Sequence, residues 1–160
     1  MDTERVFVGL GANLGDARAT VRWALQALRG LPATRLVAAS RLYRSAPVQA
    51  QGPDFINAVA ELRTTLEPQA LLAALQSLER EQGRERPYRN APRTLDLDLL
   101  LHGDRVLQGA SLTVPHPRLH ERAFVLLPLL ELAPALVHPQ LGPLQAHVQA
   151  TQDQAVERLT

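Results

Sequence analysis

Two acids stand two residues apart in the run Pro92-Arg93-Thr94-Leu95-Asp96-Leu97-Asp98-Leu99-Leu100-Leu101. Successive side chains of a strand alternate between faces, so Asp96 and Asp98 share one side while Leu95, Leu97 and Leu99 share the other and point into a core. Two unit charges about 4 Å apart at a partly shielded site repel by on the order of 4 kcal/mol. A bound cation removes that cost, and hard carboxylate oxygens suit Mg²⁺. Arg93 precedes the pair, where it can hold an anion bridged by the metal. Alternating Asp and Leu alone also suits a strand with one wet face. Asp is a poor strand former, however, and Arg84, Arg86, Arg89 and Arg93 lie immediately upstream. That company favours phosphate chemistry.

Other polar residues gain meaning from their neighbours. His116 is framed by Pro115 and Pro117, so it stands on an extended segment. Arg118 and Arg122 follow it, which suits a phosphate contact as well as an ordinary surface histidine. Asn57 falls among strand residues; facing inward, its amide would read the edge of a heterocycle. Gln76 and Glu79 lie three apart on a helix, a pattern that by itself describes a solvated face.

Composition narrows the classes. A chain of 160 residues with 46% hydrophobic content is expected to form a single domain, residues 1–160, around one core. Net charge is only +1 and aromatic residues make up 4%, so neither the basic surplus nor the stacking platforms of a nucleic-acid binder are present. The absence of Cys excludes disulfides and thiolate metal sites. The first residues carry no apolar signal core, and the apolar stretch from Phe124 to Val137 is interrupted by Pro128, Glu131 and Pro134. A cytoplasmic protein without a membrane span is expected. All 17 residues counted as Lys plus Arg are Arg. Lysine-based phosphate loops and Schiff bases are therefore excluded, and permanent positive charge at a phosphate must come from guanidinium forks.

The elements that position these residues are readable in order. Arg5 to Leu10 predicts a strand. Gly11 to Asp16 predicts a turn, the glycines serving a tight strand-to-helix connection, and Asp16 caps a helix from Ala17 to about Arg29. Gly9, Gly11 and Gly15 are too widely spaced for a dinucleotide fingerprint. Thr34 to Tyr43 and Asp54 to Thr64 predict strands, separated by a Pro-, Gly- and Gln-rich loop that suits a lid. Pro68 opens a helix that ends at Gly83. The Arg-rich loop follows, then the acidic strand, then a hairpin through His102-Gly103-Asp104 into Arg105-Val106-Leu107. Glu121 to Leu132 predicts a helix kinked at Pro128. The remainder reads as a packed tail without chemistry.

With those blocks in hand, the chain resembles the 6-hydroxymethyl-7,8-dihydropterin pyrophosphokinases of folate biosynthesis. The resemblance rests on Gly9-Leu10-Gly11-Ala12-Asn13-Leu14-Gly15, Tyr43-Arg44-Ser45-Ala46-Pro47, Pro53-Asp54-Phe55-Ile56-Asn57, Gly83-Arg84-Glu85-Arg86, the Pro92–Leu99 block and Val114-Pro115-His116-Pro117, all in family order. It implies an α+β ferredoxin-like βαββαβ core, an antiparallel sheet with flanking helices and a further C-terminal hairpin and helices. It implies transfer of diphosphate from MgATP to the pterin hydroxymethyl group, with release of AMP, by a monomer that binds neither nucleic acid nor membrane. By resemblance, Asp96 and Asp98 bind two Mg²⁺ ions and act with Arg84 and Arg93 in catalysis. Gln76, Glu79, Arg84, Arg86, Arg93, Leu99, Leu112, Thr113, His116 and Arg122 line the ATP site. Ser45, Val48, Phe55, Asn57 and Phe124 hold the pterin.

Two other readings fit the acid pair on chemistry alone. A two-metal phosphohydrolase would release phosphate without pterin. A non-catalytic ferredoxin-like binding module would show no turnover.

Overall fold

The computed structural model describes residues 2–47, 52–83 and 95–159. Its centre is β1 (Glu4–Ala12), buried continuously from Val6 to Ala12. Both faces of such a strand need cover. On one face, Val6, Val8 and Leu10 pack with α1 (Ala17–Leu28) and with the helix after the fourth strand. Asp16 starts α1 by accepting the Ala19 N–H at 3.1 Å, and Val21, Ala24 and Leu28 form its buried stripe.

The chain continues through β2 (Thr34–Ala39), β3 (Leu42–Ser45), β4 (Phe55–Thr64), α2 (Pro68–Gln82) and β5 (Asp96–His102). Helix α2 has Pro68 in its first turn, stops at Gly83, and buries Leu71, Leu75 and Leu78 beside α1. Two short hairpins follow, β6 (Leu107–Gln108) with β7 (Thr113–Val114), and β8 (Val137–His138) with β9 (Gly142–Pro143). Between them lies α3 (Ala123–Leu132), and β10 (Val156–Leu159) ends the order. Helix α3 covers the second face of the sheet, packing Val125, Leu126, Leu129 and Leu130 with Phe7, Val59, Leu100 and Leu101.

All pairings in the main sheet are antiparallel, in the order β10-β3-β4-β1-β5, with β2 also on β4. Taking β2 and β3 as two halves of one partner for β4 yields the expected βαββαβ ferredoxin-like core. The C-terminal additions are the β8–β9 hairpin, 3-10 turns at Leu144–His147 and Gln149–Thr151, and the edge strand β10.

Three local expectations are corrected. Gly11 is not a turn residue, because β1 runs on to Ala12; the turn is made at Gly15, at φ +60°. The strand expected from Thr34 to Tyr43 breaks at Ser40. There the Ser40 hydroxyl accepts the Val59 N–H at 2.9 Å, and the Ser40 N–H donates to the Val59 carbonyl. A side chain thus replaces a carbonyl in the ladder, and the strand re-enters as β3. The hairpin after β5 is also displaced: β6 pairs with β7 rather than with β5.

The leucine run of β5 is resolved by a bulge. Val8 pairs with Leu99 and Phe7 with Leu101, leaving Leu100 as the extra residue. Alternation restarts there. Leu97 and Leu99 face α1 and α2, while Leu100 and Leu101 both join the core under α3. His102, opposite Val6, is thereby turned toward the α1/α2 side and is fully buried.

Neither ring nitrogen of His102 has a geometrically sound hydrogen-bond partner. Burial, the dominant influence, holds its pKa below the usual histidine range. The Glu4 carboxylate, 3.9 Å away, opposes this, as does Glu67, while Arg105 reinforces it. An unfolded histidine takes up a proton near pH 6.5, and the folded one resists until the pH is lower. Stability therefore falls as pH drops below about 6.5. Burial also lowers His116 and His138, so His102→Leu should lessen, not abolish, the loss of unfolding free energy between about pH 7 and 5.5. Denaturant unfolding at several pH values measures this; identical slopes in both proteins would exclude His102 as a contributor.

Candidate active site

The acid pair owes its surroundings to the register of β5 on β1. Asp98 stands opposite Gly9 and Asp96 opposite Gly11, on the face away from α1 and α2. Leu95, Leu97 and Leu99 are buried as expected, Asp96 is half-buried and Asp98 is exposed. Because the facing residues are glycines, no side chain of β1 projects beside either carboxylate. One strand further, Asn57 aligns with Gly11 and Val59 with Gly9. The acids and the Asn57 amide therefore flank a glycine floor across two strand spacings, roughly 10 Å.

This floor belongs to an open cleft of about 530 Å³. Its lining unites Ser45, Phe55 and Asn57 from β3 and β4, Asp96 and Asp98 from β5, and Arg122 and Phe124 at the start of α3. These are seven of the residues implied by resemblance, drawn from segments up to 79 positions apart (Ser45 to Phe124). Asn57 is buried and accepts a 2.6 Å hydrogen bond from the Ser45 hydroxyl at Oδ1. That bond leaves the Nδ2 protons for another acceptor. Phe55 and Phe124 add flat apolar walls, and the Arg122 guanidinium lies 5.6 Å over the Phe124 ring.

His116, on the segment after β7, is not part of the cleft lining but feels the charges of Asp98, Arg118 and Arg122, which are. Its backbone N–H is anchored on the Leu100 carbonyl at 2.9 Å, and the Val114–Pro115 peptide before it is cis. Burial is the main cause of its lowered pKa; Asp98 opposes the shift, and Arg122 and Arg118 support it. His116 is thus neutral near pH 7 and in electrostatic reach of Asp98. Its Nδ1 accepts the Arg118 backbone N–H at 3.2 Å, so the proton rests on Nε2, ready to be donated.

Other residues of the sequence-based set lie elsewhere. Glu79 of α2 accepts the Leu97 N–H at 2.8 Å and so ties α2 to the acid strand. Gln76 is exposed on the same helix. The side chains of Leu99 and Leu112 are buried in the α1/α2 core, and Thr113 is exposed on β7. Val48, Arg84, Arg86 and Arg93 lie outside the described residues.

Several lining residues escaped sequence reasoning. Gly9 was read only as a strand residue and Gly11 as a turn residue, and Glu121 and Gln154 carried no assigned role. Arg118, noted only as a neighbour of His116, also lines the cleft. For Gln154 the sequence holds no signal: it lies in the stretch read as a tail without chemistry.

Asp96 and Asp98 are the donors fit for a metal. Among the described residues no group of three or more potential ligands converges. Two carboxylates with open space beside them fit Mg²⁺, which keeps several waters and completes its shell with substrate phosphates.

The profile of the 7,8-dihydro-6-hydroxymethylpterin-pyrophosphokinase (HPPK) family matches residues 7–134. The 2-amino-4-hydroxy-6-hydroxymethyldihydropteridine pyrophosphokinase of Pseudomonas aeruginosa is 49% identical over 157 residues, covering 98% of this chain and 97% of that one. The enzyme of the same name from Pseudomonas putida is 52% identical over 118 residues, 74% of this chain and 98% of that one. The crystal structure of an HPPK-DHPS in complex with substrates superposes at a TM-score of 0.74 with 11% identity; it covers 94% of this chain, which spans only 43% of that longer one, and so supports the fold alone. Profile, relatives and cleft converge: the chain belongs to the 7,8-dihydro-6-hydroxymethylpterin-pyrophosphokinase family.

Proposed function

We propose that the cleft carries out the family's transfer of diphosphate from ATP to the hydroxymethyl group of 6-hydroxymethyl-7,8-dihydropterin, with Asp96 and Asp98 holding two Mg²⁺ ions. The observation that carries this reading is the pair of carboxylates aligned, across a floor of two glycines, with a buried, hydrogen-bonded asparagine amide. In the transfer, the hydroxymethyl oxygen bonds to the β-phosphorus of ATP, the bond from that phosphorus to the α-phosphate oxygen breaks, and AMP departs. The hydroxyl proton is lost to solvent or a phosphate oxygen.

The substrate brings its own nucleophile, so the protein's work is placement and charge. Asn57, oriented by Ser45, presents Nδ2 to the edge of the heterocycle. Phe55 and Phe124 sandwich its flat rings, and Val48 completes that pocket as the family motif implies. Arg122 faces the phosphates, and neutral His116 donates from Nε2 to a phosphate oxygen. Arg84 and Arg93 supply guanidinium charge to the transferring group, and Arg86 contributes to nucleotide binding. Gln76, Glu79, Leu99, Leu112 and Thr113 serve the nucleotide side, Leu99 and Leu112 through their backbone because their side chains are buried. When bound, the two metal ions neutralise charge on the attacking and leaving oxygens. Fixing both substrates in line supplies much of the rate. The reading includes a cytoplasmic monomer that binds no nucleic acid. No helix among the described residues is long and apolar enough to cross a membrane.

Incubation with MgATP tests the assignment. Pterin-dependent AMP is the expected product; phosphate released without pterin would indicate a hydrolase instead. Asp96→Ala and Asp98→Ala should each lower transfer by at least about 10³-fold, of the order of removing a key electrostatic group. Asp98 is exposed, so its replacement should leave the melting temperature nearly unchanged. Retained turnover in either variant would remove the metal assignment.

A second variant probes the floor. A Cβ on Gly11 would stand 3.2 Å from Asn57 Nδ2. Gly11→Ala should fold, yet push the amide off its line and raise the KM for pterin by roughly tenfold, about the worth of one hydrogen bond. An unchanged KM for pterin would show that Asn57 does not read the ring.

A further inference from the structure

The entry to α3 is built differently from the other helix starts. Arg122 is its N-cap residue and lines the cleft, and its guanidinium, which only donates, cannot accept a helix-start N–H. A helix start leaves backbone N–H groups without intrahelical partners. Here one is satisfied from 31 positions away: the Ala123 N–H donates to Gln154 Oε1 at 2.8 Å. The same amide donates from Nε2 to the Glu121 carbonyl, also at 2.8 Å. One side chain thus grips the main chain on both sides of Arg122.

Gln154 is held in turn. Its N–H donates to the Thr151 carbonyl, buried Thr151 bonds the Val148 carbonyl, and two residues later β10 joins the sheet, with Val156 opposite Ser45. The clasp therefore connects the α3 entry to the sheet edge that carries Ser45. It lies beyond residue 134, where the family profile ends.

We infer that Gln154 is a positioning residue for the transfer reaction, fixing the backbone of Glu121–Ala123 so that Arg122 and Phe124 point into the cleft. A peptide clamped at both flanks has a defined φ and ψ at its centre, here −118° and 115° at Arg122. Those angles decide where a long guanidinium side chain can reach. The usual cap, Ser, Thr, Asp or Asn at position 122, would accept an N–H one or two residues further into the first turn, but would remove the cation and leave the Ala123 N–H unserved. Gln154 lets one position serve both as helix start and as phosphate ligand. The inference rests on the pyrophosphokinase reading of the cleft.

Gln154→Ala and the near-isosteric Gln154→Met test it. Both should lower kcat/KM by roughly 5- to 50-fold, within the range of two partly exposed hydrogen bonds. Most of the loss should fall on the KM for ATP and for pterin. In an Arg122→Ala background, the effect of Gln154→Ala on the KM for ATP should shrink to less than about twofold, because residues acting through one another are not additive. Amide exchange at Ala123 should accelerate in both Gln154 variants, a readout independent of turnover. Wild-type kinetics in the variants, an undiminished effect in the Arg122→Ala background, or unchanged exchange at Ala123 would each overturn the clasp. Failure of the wild-type protein to form AMP with pterin would instead count against the pyrophosphokinase reading, and the exchange measurement would still decide for or against the clasp.

Discussion

The pairing of β5 with β1 is the constraint on which the remaining structure depends. Strand side chains alternate with a period of two, so a one-residue slip would carry Asp96 and Asp98 into the α1/α2 core and eject Leu97 and Leu99. Burying two unpaired carboxylates costs several kcal/mol each even after relaxation, while exposing two leucines forfeits about 1.5–3 kcal/mol apiece. The same register that secures the fold therefore places the acids. It also sets each acid opposite a glycine, so folding energy and open space at the cleft floor come from a single alignment.

The bulge at Leu100 shows how narrowly that alignment is confined. A regular strand from Asp96 to His102 would keep alternating and send Leu101 toward α1 and α2. By absorbing Leu100, the strand lets two consecutive leucines enter the core beneath α3. One end of β5 thus faces the cleft and the other joins two cores. His116 benefits directly, since its N–H is anchored on the carbonyl of Leu100. Local irregularity in the strand positions a residue sixteen places further along the chain.

How much of this could be read in advance follows from the range of the interactions. The face of Asp96 and Asp98, the start and stop of α2, the Asp16 cap and the core order were legible, because each depends on residues within a few positions. Asn57 and Arg122 were singled out by their neighbours, and the resemblance added Ser45, Phe55 and Phe124; the structure draws all five into one cleft. Gly11 was misread because glycine signals both a turn and a missing side chain, and only the partners across the sheet separate the two. Ser40 interrupts a strand through a bond to Val59, nineteen residues distant. Gln154 was invisible for the same reason: its partners lie 31 and 33 positions away.

The C-terminal stretch then takes on a physical purpose. Helix α3 is apolar on nearly every side, and such a helix must be buried all round. The sheet covers one side only. Leu136, Leu144 and Val148 supply the opposing cover, with the Leu144 N–H tied to the Leu136 carbonyl. Without that layer α3 would present leucines to water, and the cleft wall formed by its first turn would lose its support. So apolar a helix, with Glu131 tied to Arg41 and Tyr43, is a rigid foundation for Arg122 and Phe124 because it cannot rotate without exposing one leucine or another. The tail that buries the helix is thus the part of the chain able to lock its entry, and a polar side chain from that tail reaching back to Glu121 and Ala123 is the economical way to do so.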